Sequence, residues 1–225
     1  MADFAALREA MVARQIAARG ITGAALLAAM REVPREAFVA DTLANRAYDD
    51  SPLPIEDGQT ISQPYIVALM IEAAGVAPGD RVLEIGAGSG YAAAVLGRIA
   101  REVIAIERHA GLALSASERM RELGYANVRI VAGDGSAGWP DAAPYDAILA
   151  AASGSHVPGV LKRQLDRDGG TLVMPIGEPG AVQTLVKVTR QGEDAYRDED
   201  LGAVRFVPLI GAHGWDELGR PAGSR

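Results

Sequence analysis

The sequence predicts a single α/β domain of the doubly wound type, with a mostly parallel sheet, an antiparallel edge and an N-terminal helical extension. Three observations lead to this prediction. Short apolar runs suited to buried strands alternate with helix-like stretches between residues 81 and 175. A glycine-rich turn follows the first of these runs, at 86–90. The last two strand-like runs follow each other without a helix between them, which predicts the antiparallel edge.

Composition limits the class of protein. The 225 residues suit one domain with a full core, and 49% apolar with 23% charged residues are typical of a globular protein. The chain has no cysteine, which excludes disulfides and Cys-ligated zinc, and its three histidines lack zinc-ligand spacing, so no metal site is expected. A cytoplasmic location is expected. The net charge of −7 argues against a nucleic-acid partner, and no apolar run approaches the roughly 20 residues of a membrane span.

Residues 1–58 are predicted to form helices and a loop ahead of the core. Apolar spacing predicts a helix over 3–19 with Asp3 as its N-cap, and a second helix between Thr22 and Pro34. Residues 41–58 have weak periodicity, with Pro52, Pro54 and Gly58 as breaks, so a loop or irregular hairpin is expected there.

The core is predicted to extend over 59–212. A helix should begin at Pro64, and further helices are expected at 91–100, 112–123 and about 158–165. Strands are predicted at 81–85, 103–106, 128–131, 146–150, 171–175, 182–189 and 204–207. The charge-dense stretch 193–200 is interpreted as a solvated turn, and 213–225 as a frayed tail. Trp215 could cover the mouth of a crevice or lie on the surface of that tail.

The glycine turn itself has unusual neighbours. Gly86, Gly88 and Gly90 let the backbone turn sharply and let a ligand approach closely, although such a turn can also be purely structural. A nicotinamide fingerprint would have Gly or Ala where this chain has Tyr91. The negative carboxylate of Glu84 would repel the two phosphates of a dinucleotide. Both features favour a ligand without phosphates and with a positively charged amino-acid end, such as S-adenosylmethionine.

Two further acids follow later strands. Glu107 ends the next strand about 20 residues beyond Gly86, where a carboxylate can accept hydrogen bonds from ribose hydroxyls. Asp134, followed by Gly135, could accept from the adenine amine, although an Asp-Gly turn is common in any protein. A solvated strand-end acid is likewise the alternative for Glu107. Together with Glu84 these acids outline one crevice at the carboxyl ends of the strands.

Residues 58–68, with the sequence GQTISQPYIVA, resemble the signature segment of the protein-L-isoaspartate O-methyltransferase family. The resemblance covers about residues 8–215. It is carried further by the segments 30–39 (MREVPREAFV), 82–91 (VLEIGAGSGY), 133–135 (GDG), 143–148 (APYDAI), 169–173 (GGTLV) and 204–209 (VRFVPL). Residues 149–157 and Ala92 depart from the family pattern. The first departure leaves the lining of the methyl-donor side open, and neither removes a residue expected to be catalytic.

The resemblance implies an enzyme that transfers a methyl group from S-adenosylmethionine to the free carboxylate of L-isoaspartyl residues in damaged proteins, which starts repair through a succinimide. It implies a Rossmann-like fold and a monomer. The catalytic residue would be Ser62, which also binds substrate together with Val207. Cofactor residues would be Gln59, Thr60, Ile61, Ser62, Glu84, Gly86, Gly88, Gly90, Glu107, Arg108, Asp134 and Gly135. The alternative for Ser62 is that it only caps the helix opened by Pro64.

Three other functions are compatible with parts of the pattern. A methyltransferase of the same fold could act on a small molecule, but it would not require the segment 58–68. A nicotinamide-dependent oxidoreductase is disfavoured by Tyr91 and by the lack of a proton-relay residue. A non-catalytic binding module would require that the crevice fail to hold the cofactor.

Overall fold

The structure is a computed structural model that describes residues 2–222. Six α-helices and nine strands form within these residues. The helices are α1 (Phe4–Met11), α2 (Ala24–Glu32), α3 (Pro64–Ala74), α4 (Tyr91–Gly97), α5 (Ala110–Glu122) and α6 (Gly159–Gln164) within these residues. The strands are β1 (Leu53–Pro54), β2 (Thr60–Ile61), β3 (Arg81–Ile85), β4 (Glu102–Glu107), β5 (Val128–Ala132), β6 (Ala147–Ala150), β7 (Asp168–Ile176), β8 (Gln183–Gln191) and β9 (Tyr196–Val204).

The helix ends follow the local sequence. Asp3 caps α1, because its carboxylate accepts a hydrogen bond from the N–H of Ala6 at 3.0 Å. That helix continues through a π-helical turn at Val12–Ile16 and a 3₁₀ turn, and ends at Gly20, whose φ is +95°. Pro64 occupies the first turn of α3, where a missing N–H costs nothing. The predicted irregular hairpin is present as the antiparallel pair β1–β2.

Seven strands form the main sheet, in the order β5-β4-β3-β6-β7-β8-β9. The strands from β5 to β7 pair in parallel, and β8 and β9 are antiparallel. The doubly wound fold and its antiparallel edge are therefore confirmed. The strand order reverses between β3 and β6, and ligands of open α/β sheets bind beside such a reversal.

Both faces of the sheet are covered. Along β3, Val82 packs with the N-terminal helices and α3, whereas Leu83 and Ile85 pack on the other face with α6. Because side chains alternate along a strand, Glu84 points to the same face as Val82, into the otherwise apolar interior.

The last strand differs from its prediction. The sequence predicts a strand at 204–207 and a solvated turn at 193–200, but β9 occupies Tyr196–Val204 and pairs along β8. Apolar periodicity misses it because an edge strand can carry charges on its exposed positions, where they also discourage further strand addition. Residues beyond β9 continue to Pro208, which forms a parallel bridge with Ser153.

The predicted frayed tail is wrong for residues 213–222, and 223–225 lie outside the described residues. Trp215 is fully buried, and its indole N–H donates to the carbonyl of Ser153 at 2.8 Å. The backbone N–H of Trp215 donates to the carbonyl of Leu209 at 2.7 Å. One aromatic residue therefore anchors a segment whose Gly, Ser and Pro content is typical of loose chain ends.

Within residues 2–222, no helix combines the length and apolar character needed to cross a membrane. No group of three acidic or histidine side chains in the same part of the chain is arranged to hold a metal ion.

Candidate active site

A cavity of about 850 Å³ opens at the carboxyl ends of β3 and β4. The signature segment and the segment after β9 complete its walls. Its lining includes the predicted residues Gln59, Thr60, Ile61, Ser62, Glu84, Gly86, Gly88, Glu107 and Val207. A smaller cavity of about 50 Å³ adjoins it and shares Gln59, Gly86, Glu107 and Pro208 with it, and Arg108 and Gly135 line only this smaller cavity.

The glycine turn forms the floor of the large cavity. Gly88 has a φ of +52°, and a Cβ there would lie 3.3 Å from Cδ1 of Ile55. Gly90 has a φ of +88° and does not line either cavity. A Cβ at Gly90 would lie 3.1 Å from Cε of Met120, so this glycine allows α5 to pack close to the turn.

Glu107 fixes the turn from the neighbouring strand. The side chain is 4% exposed and lines both cavities. Its Oε2 accepts the N–H of Gly88 at 2.8 Å, and its Oε1 accepts the N–H of His109 at 2.9 Å. Each carboxylate oxygen retains capacity to accept a further hydrogen bond.

Glu84 has a very different environment. It is 2% exposed, and its Oε2 has no hydrogen-bond partner within the described part of the chain. Burial, and then the negative charge of Glu107, raise the pKa of Glu84 to about 8. A buried acceptor without a donor is costly in a folded protein, so this side of the cavity is prepared for a cationic or hydrogen-donating ligand group.

The signature segment forms one wall of the large cavity. The N-cap position of α3 is Gln63, with no side-chain capping hydrogen bond, so the alternative that Ser62 caps the helix is wrong. The Ser62 hydroxyl makes no hydrogen bond with the residues described. The amide of Gln63 donates to Asp50 at 2.8 Å, which ties the segment to the chain before β1.

Asp134 lies differently from the other two acids. Its carboxylate accepts the N–H groups of Ser136 and Ala212, each at 2.8 Å, and it is absent from the linings of both cavities. Burial raises the pKa of Asp134, the hydrogen bonds from Ser136 and Ala212 lower it, and the net shift is downward. Asp134 therefore anchors the C-terminal segment, which supplies Leu209 and Ile210 to the smaller cavity.

Arg108 and Val207 are the remaining predicted site residues. Arg108 pairs with Glu217 at 2.6 Å on the protein surface, beside the smaller cavity. Val207 lines the large cavity and is 36% exposed. Its carbonyl accepts the N–H of Ser153 at 2.8 Å, so the atypical segment 149–157 supports the backbone of this wall.

Two buried polar residues at this site were not predicted. Arg35 donates to the carbonyl of Ser62 at 2.7 Å, and its neighbours Arg31, Glu32 and Glu36 in the segment 30–39 are also charged, so the sequence does not single it out. Gln183 accepts from the N–H of Phe206 at 2.7 Å and donates to the hydroxyl of Ser153 at 3.1 Å. Nothing in the sequence around Gln183 distinguishes it from a solvated strand residue.

Comparisons with known proteins agree on one family. The model of the protein-L-isoaspartate(D-aspartate) O-methyltransferase family matches residues 6–214. A protein-L-isoaspartate O-methyltransferase 1 of Rhodopseudomonas palustris (strain HaA2) is 60% identical over 95% of this chain and 86% of its own length. A solved protein-L-isoaspartate O-methyltransferase has a TM-score of 0.82 and 30% identity, over 91% of this chain and 66% of that longer chain. A Plasmodium falciparum chain assigned the same activity, solved in complex with S-adenosyl-L-homocysteine, has a TM-score of 0.77 and 25% identity, over 90% of this chain and 98% of its own.

Replacing Glu84 should change how the stability of the ligand-free protein depends on pH. The folded protein holds a proton on Glu84 up to about pH 8, whereas the unfolded chain releases it near the ordinary pKa of 4.5. The wild-type free energy of unfolding should therefore fall as pH rises through this window, by up to about 1.4 kcal/mol per pH unit. Glu84→Gln should lack this loss.

Urea denaturation of both proteins near about pH 5 and about pH 8 measures the difference. Glu118→Gln, on the exposed side of α5, is the matched control and should follow the wild type. Equal pH dependence in wild type and Glu84→Gln would show that burial does not hold Glu84 protonated.

Proposed function

This chain belongs to the protein-L-isoaspartate(D-aspartate) O-methyltransferase family, and on that premise we propose which of its residues hold the methyl donor and which hold the acceptor. The enzyme transfers a methyl group from S-adenosylmethionine to the free carboxylate of L-isoaspartyl residues in damaged proteins and peptides. The resulting ester starts repair through a succinimide. The observation that carries the assignment of residues is one cavity that joins the unpartnered carboxylate of Glu84 to the free hydroxyl of Ser62.

The donor's amino-acid end fits the buried side of this cavity. S-adenosylmethionine carries an ammonium group and supplies a reactive methyl group on a positively charged sulfur. Glu84 accepts hydrogen bonds from the ammonium, which gives its Oε2 the partner that the protein does not provide. Gly86 and Gly88 leave room for the donor to lie against the backbone.

Residues shared by the two cavities would hold the nucleoside end of the donor. Glu107 accepts the ribose hydroxyls with its remaining lone pairs while it continues to hold the turn. Gly135 and Arg108, which line the adjoining smaller cavity, would hold the adenine end. Gln59, Thr60 and Ile61 cover the donor from the signature segment. Acceptance of the adenine amine by Asp134 stays a prediction, because its carboxylate also holds Ala212.

The acceptor carboxylate needs orientation and no base. The acceptor's carboxyl group, with an ordinary pKa of about 4, is ionised at pH 7 and is therefore already a nucleophile. The hydroxyl of Ser62 donates to one carboxylate oxygen while the other attacks the methyl carbon. The S–CH3 bond breaks as the O–CH3 bond forms, its electron pair stays on sulfur, and S-adenosyl-L-homocysteine leaves as a neutral thioether. A neutral hydroxyl orients the anion without stabilising it as strongly as a cation would. Val207 contacts the acceptor peptide where its side chain is exposed at the cavity.

Burial on the donor side of the cavity also favours the reaction electrostatically. A positive sulfur and a negative carboxylate lose their charges as the methyl group moves, and water would stabilise the separated charges. Glu84 and Glu107 are almost fully buried at this site, which limits the water near the reacting groups. Fixing the line of attack contributes further to the rate.

We further propose that the protein acts as a single-domain monomer in the cytoplasm. The absence of cysteine is compatible with a reducing compartment. The net charge of −7 disfavours nucleic acid as a partner, so the partners are isoaspartyl-containing proteins and peptides.

The function is tested by transfer of labelled methyl from S-adenosylmethionine to a synthetic isoaspartyl peptide and to its normal aspartyl twin. We expect label only on the isoaspartyl peptide, and we expect mild base to release it, because the product is an ester. Label that survives base would indicate N-methylation, and label on both peptides would contradict recognition of the isomerised residue.

Ser62→Ala should lower kcat for the isoaspartyl peptide by about 10- to 100-fold, the scale of one or two hydrogen bonds. Affinity for S-adenosylmethionine should change little, because Glu84, Glu107 and the glycine turn hold most of the donor. Calorimetry and steady-state kinetics on one preparation measure both quantities. Ser115→Ala, at an exposed position of α5, is the control. Parental kcat in the Ser62→Ala protein would remove Ser62 from the mechanism.

A further inference from the structure

A buried guanidinium lies directly behind the wall that carries Ser62. Arg35 is fully buried, in the short 3₁₀ turn Arg35–Phe38. Its Nε donates to the carbonyl of Ala47 and its Nη2 to the carbonyl of Ser62, both at 2.7 Å. The guanidinium also lies over the ring of Tyr91, with its carbon 4.6 Å from the ring centroid.

This charge lacks the partners that a buried charge normally has. No carboxylate lies within ion-pair distance of Arg35 in the described chain, and its Nη1 has no hydrogen-bond partner there. Burial lowers the pKa of Arg35, yet a guanidinium remains protonated in proteins. Apolar side chains of similar volume often replace buried charged groups without loss of stability. Stability alone therefore does not explain an arginine at this position.

The two short hydrogen bonds connect separate parts of the chain. One holds the end of the 3₁₀ turn that precedes Tyr48, and the other holds the peptide group between Ser62 and Gln63. The planar fork of a guanidinium can reach two carbonyls at fixed angles, which a lysine cannot do. The ring of Tyr91, itself part of the cavity lining, supports the fork from one face.

We propose that Arg35 is a positioning residue for methyl transfer, which holds the Ser62 peptide group so that the Ser62 hydroxyl faces the acceptor carboxylate. The proposal rests on the role of Ser62 proposed above. The Ser62 side chain has no hydrogen bond of its own to hold it, so its direction depends on the backbone that Arg35 fixes. Arg35 does not line the cavity and acts only through that backbone.

A double-mutant cycle between Arg35→Met and Ser62→Ala tests this coupling. In the wild-type background, Arg35→Met should lower kcat for the isoaspartyl peptide by about 10-fold or more. In the Ser62→Ala background the same change should lower kcat by less than about threefold, because the group that Arg35 positions is already absent. Affinity for S-adenosylmethionine, measured by calorimetry, should stay within about twofold in every variant.

Arg98→Met is the matched control, because Arg98 also lies over a tyrosine ring, 4.8 Å from the centroid of Tyr125, but away from the cavity. It should leave kcat unchanged. Arg35→Lys keeps the charge without the fork, should lower kcat to an intermediate extent, and carries the cycle if Arg35→Met does not fold.

Equal losses of kcat in the two backgrounds would overturn the proposal, as would parental kcat in Arg35→Met. An unchanged kcat in Ser62→Ala alone would also overturn it, because Arg35 would have no catalytic group to position. A failure of the proposed function is a different result, since the wild-type protein would then not methylate the isoaspartyl peptide at all.

Discussion

The burial of two carboxylates side by side, Glu84 and Glu107, is the constraint on which the site depends. They lie at the ends of adjacent parallel strands, and the protein satisfies only one of them. The carboxylate of Glu107 accepts the N–H of Gly88 and so fixes the shape of the glycine turn. In that shape the turn faces the cavity and is accessible to a ligand. Glu84 is left without a donor, and its pKa rises to about 8. On this account Glu84 is protonated in the ligand-free enzyme below about pH 8, and the positively charged donor favours its ionised form.

On the acceptor side the buried charged group is positive, whereas on the donor side it is a carboxylate. There the buried charge is the guanidinium of Arg35, which donates hydrogen bonds to two backbone carbonyls. The group proposed to contact the acceptor is the neutral hydroxyl of Ser62. The two sides meet in one cavity, and the proposed assignment gives the cationic donor and the anionic acceptor different walls of it. Methyl transfer from the sulfonium to the carboxylate removes both charges and moves no proton. Orientation of the acceptor and exclusion of water can therefore accelerate this reaction without a general acid or base.

Much of the fold could be predicted, because strands buried on both faces and amphipathic helices have distinct periods. The glycine turn and Glu107 could be predicted from their spacing as well. The strand Tyr196–Val204 could not, since an exposed edge imposes no apolar pattern. The anchoring of the tail depends on contacts between residues distant in sequence, such as the indole of Trp215 with the carbonyl of Ser153 and the N–H of Ala212 with Asp134. The hydrogen bonds of Arg35 and Asp134 are likewise tertiary, and residue type alone does not reveal which backbone groups a side chain will reach.

The central claim is that the donor's ammonium pairs with an ionised Glu84, and proton release on binding tests it most directly. Below about pH 8 the side chain must lose its proton when it forms that pair. Calorimetric titration of S-adenosylmethionine at about pH 7, in buffers of different ionisation enthalpy, should report roughly one proton released per donor bound. Glu84→Gln should release none. Binding by the wild-type protein with no proton release would contradict the account, because Glu84 would then either be ionised before binding or stay protonated throughout.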